Sequence, residues 1–202
     1  MKSPRVTSDP LAALGALGAL VSTRDLLLAG LGSMAVTRLV RAGHLLRLGR
    51  GVYQPAGAEL PGHWTLKAVA IRAPDTLFCL LTALELHGLT TQSPSDVWIA
   101  LGNHDHPPRM DYPPLRVARF APASLAEGVQ TLELDGATIR VTNPAKTVAD
   151  CYKHRGKVGL DVALEALREA RRTGVASQDK LWHYAQLDRV QNVMRPYLEA
   201  VA

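Results

Sequence analysis

The hydrophobic pattern close to the N-terminus predicts two short helices joined by a turn. Ser22 and Asp25 have the spacing of a capping box and precede an apolar run, which predicts the start of the first helix. Residues 30–33 contain two glycines that can adopt positive φ angles and supply the turn. The second helix is expected over residues 34–42. This order of elements is typical of a helix-turn-helix motif.

The helix predicted over residues 34–42 has two unlike faces. Val36, Leu39 and Val40 recur at helical spacing on one face, which we expect to be buried. The other face carries arginines, whose guanidinium groups can bond guanine edges or phosphates in a bidentate manner. The alternative is a solvated helix face that carries two arginines. The candidates for DNA contact on this helix are Ser33, Thr37, Arg38 and Arg41.

From Leu45 onward the hydrophobic period changes to two, which predicts a β-hairpin. Gly49 and Gly51 mark its tight turn. A hairpin directly behind a helix-turn-helix is the wing of a winged-helix domain, and its basic tip would follow the DNA backbone or minor groove. Arg47 and Arg50 are the candidates for this contact, and a plain hairpin with solvated arginines is the alternative. The side chains expected to face inward are Leu46, Leu48 and Tyr53.

An earlier helix is predicted to begin at Asp9-Pro10, because these residues supply a cap and a first helical proline, and to extend to about Val21. The apolar part of this segment is too short to span a bilayer. Cys79 and Cys151 lie in apolar helical surroundings, as reduced thiols in a protein core do. These observations favour a cytoplasmic protein.

A Pro- and Gly-rich stretch at residues 54–62 predicts a linker between two domains. We expect a winged-helix domain at 1–58, called the head below, and a larger domain at 62–202. Strands followed by a run of helices predict an α+β fold class, with a small antiparallel sheet and C-terminal helices. The elements expected in the larger domain are helices at 64–73 and 76–87, strands at 97–101 and 115–120, a hairpin at 129–142, and helices at 145–154, 160–173, 178–187 and 190–201.

The excess positive charge of the chain is concentrated in its first sixty residues. The formal net charge is +5, and residues 1–60 hold seven Lys and Arg against three Asp and Glu, which leaves only +1 for residues 61–202. Such an asymmetry favours an anionic partner such as double-stranded DNA, although it carries no information on sequence specificity. The alternative is a surface charge that serves solubility.

Three segments of the chain resemble the AbiEi family of antitoxins. Residues 38–53, RLVRAGHLLRLGRGVY, are similar to the N-terminal domain of that family, in which a helix, a Gly, a Leu and an Arg-Gly-Val-Tyr wing recur. CLLTALELHGL at 79–89 and NPAKTVADC at 143–151 are similar to two further blocks. The resemblance implies a winged-helix repressor that binds an inverted repeat in its own promoter. It also implies an antitoxin of a type IV toxin-antitoxin system, acting against a nucleotidyltransferase-like toxin through a separate C-terminal part.

The candidates for antitoxicity in that C-terminal part are Lys146, Asp150, Lys153 and Arg155. A basic segment beyond this helix would suit an acidic or polyanionic target. The structural alternative is that Lys146 and Asp150 pair at i and i+4 on one helix face, for a few tenths of a kcal/mol. Two other functions stay open, a protein-interaction module that neutralises a toxin by direct contact and a stand-alone transcriptional regulator.

No complete catalytic or metal site can be recognised in the sequence. His104-Asp105-His106 brings two imidazoles and a carboxylate together, but no second pair of ligands follows at a recognisable spacing. The sequence also contains no Gly-rich phosphate loop and no nucleophile elbow. We therefore expect no enzyme activity, no cofactor and no metal. A nuclease or transferase built on His104, Asp105 or Asp150 is the least favoured hypothesis.

Overall fold

The computed structural model describes residues 10–60, 62–110, 112–134 and 136–200. The described part of the head consists of short helices and a three-stranded antiparallel sheet in the order β1-β3-β2. Its elements are α1 (Pro10–Gly15), β1 (Val21–Ser22), α2 (Thr23–Leu28), α3 (Ser33–Arg41), β2 (Leu45–Gly49) and β3 (Val52–Pro55).

The predicted capping box opens α2. The Ser22 hydroxyl accepts a hydrogen bond from the Asp25 amide at 3.1 Å, and the Asp25 carboxylate accepts one from the Ser22 amide at 2.8 Å. After α3 the chain turns at Gly43, whose φ of +76° is accessible to glycine at little cost. The two helices predicted from the hydrophobic pattern are thereby confirmed.

Two expectations for the head were wrong. Helix α1, which was predicted to begin at Asp9-Pro10, ends at Gly15 rather than near Val21. Glycines weaken this helix, and residues 21–22 pair with β3 instead. Asp9, its expected cap, lies outside the described residues. In the hairpin, Leu45 is fully buried and Leu46 is 48% exposed, so the inward positions of β2 begin one residue earlier than predicted.

The larger region combines a five-stranded sheet with helices and confirms the α+β class. Its central strand β4 occupies residues that the sequence pattern assigned to a helix. The elements are α4 (Trp64–Arg72), β4 (Leu77–Phe78), α5 (Leu80–Leu86), β5 (Val97–Leu101), β6 (Leu115–Arg119), α6 (Pro122–Ala126), β7 (Val129–Leu134), β8 (Ala137–Thr142), α7 (Pro144–Lys153), α8 (Arg155–Val158), α9 (Leu160–Thr173), α10 (Gln178–Leu187) and α11 (Gln191–Ala200).

The larger sheet is mixed, in the order β6-β5-β4-β8-β7. The pair β7–β8 is antiparallel, as the predicted hairpin requires, and the pair β4–β5 is antiparallel as well. The pairs β5–β6 and β4–β8 are parallel, which corrects the expectation of a purely antiparallel sheet. Parallel neighbours need a connection of about a dozen or more residues, and the segment 102–114 supplies one between β5 and β6.

Both faces of this sheet are covered. Leu66 and Val69 of α4 pack on one face with Phe78 and Ile99. The opposite face packs against α5, α7 and the C-terminal helices, which form the largest apolar cluster among the described residues. A smaller cluster joins the head to the larger region, because Leu20 and Val52 of the head contact Ala68 of α4.

Candidate nucleic-acid interface

Helix α3 separates its buried and exposed residues cleanly. Val36 and Leu39 are 7% and 6% exposed and pack with Leu26 and Leu45 in the core of the head. The opposite face is open to solvent and lines a shallow concavity, called the helix surface below. Its residues are Ser33, Met34, Thr37, Arg38 and Arg41.

The structure brings the four predicted DNA-contact residues of α3 onto this one surface. The guanidinium groups of Arg38 and Arg41 have no hydrogen-bond or ion-pair partner within the described residues. Thr37 is different, because its hydroxyl donates a hydrogen bond to the Ser33 carbonyl at 3.0 Å. Met34 was missed by the sequence reasoning. Its signal was the spacing i, i+3, i+4, i+7 that it completes with Thr37, Arg38 and Arg41.

The hairpin arginines lie on a second concave surface, called the hairpin surface below. Arg47 and Arg50 share it with Arg24 of α2 and Arg72 of α4. All four side chains are exposed. Arg24 and Arg72 were not predicted. Arg24 reaches the hairpin through the pairing of β1 with β3, and Arg72 reaches it through the packing of α4 on the head, and no local sequence pattern marks either arrangement.

The hairpin is held on both sides. Leu45 and Tyr53 pack with the helices of the head, whereas Leu48 and Val52 pack in the cluster that includes Trp64 of α4. The tip turns through Gly51 at a φ of +77°. Arg47 donates a hydrogen bond to the Gly49 carbonyl at 3.3 Å. The position of the hairpin arginines is therefore fixed by apolar packing on two faces of the ribbon.

A comparison with protein families shows which known proteins the head resembles. Residues 10–56 match the family model described as "Transcriptional regulator, AbiEi antitoxin". The head is similar to AbiEi regulators. The match extends from α1 to the end of β3, so it includes the helix surface and every hairpin-surface arginine except Arg72. The resemblance predicted from residues 38–53 is thereby confirmed, whereas the AbiEi-like blocks at 79–89 and 143–151 lie beyond the matched segment and stay predictions.

The fold as a whole is similar to that of a solved structure, the crystal structure of the RV2827C protein from Mycobacterium tuberculosis. The TM-score is 0.62 at 15% sequence identity, over 92% of this chain and 72% of that chain. At this identity the likeness concerns the fold alone. No curated protein sequence matches the chain significantly. Among the described residues, no helix has the length and apolar character needed to cross a membrane.

The antitoxicity candidates on α7 and α8 are divided between the core and the surface. Lys146 and Asp150 are 0% and 1% exposed, whereas Lys153 and Arg155 are exposed. The predicted i, i+4 pair exists, since the Lys146 ammonium donates a hydrogen bond to Asp150 Oδ1 at 2.5 Å. Lys146 and Asp150 lie on the inward side of α7, so they do not share an exposed surface with Lys153 and Arg155.

The buried pair belongs to a larger polar cluster. Lys146 Nζ also donates a hydrogen bond to the Ser124 hydroxyl at 2.7 Å and lies 3.8 Å from Asp188 Oδ2. It lies 4.9 Å from the centre of the Phe120 ring. One ammonium thus faces two buried carboxylates.

The charge balance of this cluster favours a bound proton. Burial raises the pKa of Asp150, the Lys146 ammonium lowers it, and the neighbouring Asp188 raises it, with a net shift well above the usual value. The Oδ2 atoms of Asp150 and Asp188 have no hydrogen-bond partner within the described part of the chain if both carboxylates are ionised. A proton on Asp150 turns one of these oxygens into a donor and leaves the cluster neutral.

Gly128 fits tightly against this cluster. A Cβ atom at Gly128 would lie 2.7 Å from Lys146 Cδ and 2.9 Å from Tyr184 Cε1, and its φ is +70°. We expect Gly128→Ala to lower the free energy of unfolding by about 2–5 kcal/mol, from backbone strain and overpacking together. Gly136→Ala is the matched control, since Gly136 has a φ of +76° and open space around it. Equal losses for the two variants in urea titrations would contradict the packing argument.

Asp105 and the two cysteines, the remaining candidates from the sequence, take part in the structure of the fold. Asp105 accepts a hydrogen bond from the Gly102 amide at 2.9 Å, and its carbonyl accepts one from Arg119 at 2.7 Å. Within the described ranges, no three His, Cys, Asp or Glu side chains are arranged to hold a metal ion. Cys79 and Cys151 are buried and unpaired, as predicted, and burial raises the pKa of both thiols.

Proposed function

We propose that the protein is a DNA-binding transcriptional regulator whose head, residues 1–58, is a winged helix-turn-helix domain. The observation that carries the proposal is the helix surface, where Arg38 and Arg41 lie exposed and without partners among the described residues, on a helix whose other side is anchored in the core. An α-helix with its side chains is about 10–12 Å across, so the nine-residue α3 fits into a major groove about 12 Å wide. In this arrangement α3 reads base edges.

The hairpin surface supplies contacts of a second kind. Four exposed arginines, Arg24, Arg47, Arg50 and Arg72, surround one concavity. Arginine clusters of this type neutralise phosphates, which strengthens binding to any duplex and fixes the orientation of the domain. Because Arg72 belongs to α4, the proposed larger domain at 62–202 contributes to the DNA-binding surface.

The biological role that we propose is that of an autorepressor and antitoxin of a type IV toxin-antitoxin system in the cytoplasm. The AbiEi match of the head supports a regulator of this kind. The proposed operator is an inverted repeat in its own promoter, and the proposed toxin is nucleotidyltransferase-like. Antitoxicity is assigned to the larger domain, with Lys153 and Arg155 as exposed contacts. Lys146 and Asp150 act in this proposal by holding α7 in place.

A protein-interaction module is the second candidate function. Leu27 and Leu28 at the end of α2 are 56% and 78% exposed, which favours contact with an apolar surface of another protein. Co-purification of the neighbouring gene product with wild-type protein, and its loss with Leu27→Ser/Leu28→Ser, would support this candidate. If the protein is a stand-alone regulator, the neighbouring gene product should co-purify with neither the wild-type protein nor the variant.

The proposed wing is tested by the double variant Arg47→Ala/Arg50→Ala. We expect weaker binding to all duplexes alike, with the slope of log affinity against log salt reduced by about two, because two phosphate contacts are removed. Fluorescence anisotropy over a salt series measures both quantities. Arg172→Ala/Lys180→Ala removes two exposed charges from the C-terminal helices and is the control for net charge. A wing variant that behaves like this control would contradict the proposed role.

A further inference from the structure

Met34 is the most exposed large hydrophobic residue in the described part of the chain. Its side chain is 84% exposed, compared with 78% for Leu28 and 56% for Leu27. It is the second residue of α3 and does not belong to the apolar core of the head. Because the Met34 side chain is not part of the core, it is available for contact with a partner.

The position of Met34 on α3 indicates which partner it meets. Met34 lies in the first turn of α3, and Thr37, Arg38 and Arg41 follow on the same side of the helix. The N-terminal part of a recognition helix is the part that approaches base edges. The arginines one and two turns later lie towards the C-terminal end of α3. Met34 therefore lies at the N-terminal end of the helix surface, beside the arginines proposed to contact base edges.

The chemistry of the methionine side chain narrows the base that it can recognise. Its thioether is flexible, polarizable and apolar, and it donates no hydrogen bond to guanine or adenine edges. Thymine is the one base of DNA that presents a methyl group in the major groove. We infer that Met34 is a specificity-determining residue of α3 that packs against a thymine methyl group. This inference rests on the proposed function of the head as a DNA-binding domain.

The experiment begins with selection of binding sites by wild-type protein from a pool of random-sequence duplexes. Each thymidine of the enriched duplex is then replaced in turn by deoxyuridine, which removes only the methyl group. At one position we expect the affinity of wild-type protein to fall about fourfold, the factor that corresponds to about 0.8 kcal/mol for one buried carbon. The other thymidines should tolerate the replacement.

Met34→Ala supplies the decisive comparison. We expect this variant to bind the thymidine and deoxyuridine duplexes equally, because the side chain that senses the methyl group has been removed. Its salt dependence should match that of wild-type protein, since no phosphate contact is lost. Because Met34 is 84% exposed, the thermal unfolding midpoint of Met34→Ala should equal that of wild-type protein. Val175→Ala, an exposed apolar residue between α9 and α10 and outside the helix surface, should keep the wild-type discrimination.

Two outcomes would overturn the inference in different ways. If wild-type protein enriches a sequence but tolerates deoxyuridine at every position, or if Met34→Ala still discriminates, Met34 does not read a methyl group and the proposed function stands. If wild-type protein enriches no sequence and shows no salt-dependent binding to any duplex, the proposed function fails and the role of Met34 fails with it.

Discussion

Arg38→Ala/Arg41→Ala is expected to abolish selective DNA binding without unfolding the protein. Both side chains are exposed and unpaired within the described residues, so their removal leaves the core of the head intact. Each bidentate contact to a base contributes about 1–3 kcal/mol of discrimination, so the loss of two should weaken binding to a selected duplex about 30-fold or more. Competition between selected and random duplexes measures this loss.

The two double-arginine variants are expected to change DNA binding in different ways. The hairpin variant should lose affinity for all duplexes alike, whereas the α3 variant should lose mainly the preference for the selected sequence. The charge control Arg172→Ala/Lys180→Ala removes the same formal charge from the C-terminal helices α9 and α10. If the α3 variant retained its sequence preference, α3 would not be the reading helix, even if total affinity had fallen.

Lys146→Met is expected to lower the free energy of unfolding by about 3–5 kcal/mol, because it leaves the buried carboxylates of Asp150 and Asp188 without their cation. Methionine has a similar length, so the loss comes from charge rather than from a cavity. Lys153→Met is the matched control, since Lys153 is an exposed lysine on the same helix. Its expected effect is within about 0.5 kcal/mol in the same urea titration.

The loss caused by Lys146→Met should depend on pH with a defined sign. Burial already raises the pKa of Asp150 with Lys146 present, and removal of the ammonium raises it further. A carboxyl whose folded-state pKa lies above its unfolded value stabilises the protein at low pH, and this contribution disappears as the pH rises through the folded-state pKa. The difference between variant and wild type should therefore be larger at about pH 8 than at about pH 5. A difference that is independent of pH would contradict the buried charge cluster.

The parts of the head that sequence reasoning predicted correctly depend on local signals. The capping box at Ser22 and Asp25 needs only residues three apart, and the two faces of α3 follow from a period that a helix imposes. Arg72, which was not predicted, depends on contacts that are not local in the sequence. Arg72 joins the hairpin arginines only because α4 packs on the ribbon, and that packing depends on apolar contacts between distant segments.

The larger region shows where apolar composition is ambiguous. Leu77 and Phe78 lie in a continuous apolar run that fits a buried helix as well as a buried strand. They form the central strand because β5 and β8 lie on either side to pair with them. The burial of Lys146 had no local signal either, since a lysine in a core is stable only with partners such as Ser124 and Asp188, which are remote in sequence.

Disulfide cross-linking between α3 and DNA tests most directly whether α3 lies in the major groove. Cys79 and Cys151 are buried and have raised pKa values, so an introduced thiol would be the reactive one. Thr37→Cys should cross-link to a selected duplex that carries a thiol tether on a base in the major groove. Thr173→Cys is the control, because Thr173 is exposed on α9 and its hydroxyl makes the same bond to the carbonyl four residues earlier. If α3 lies in the major groove, position 37 alone forms a cross-link. Equal cross-linking from both positions, or none from position 37, would contradict this docking.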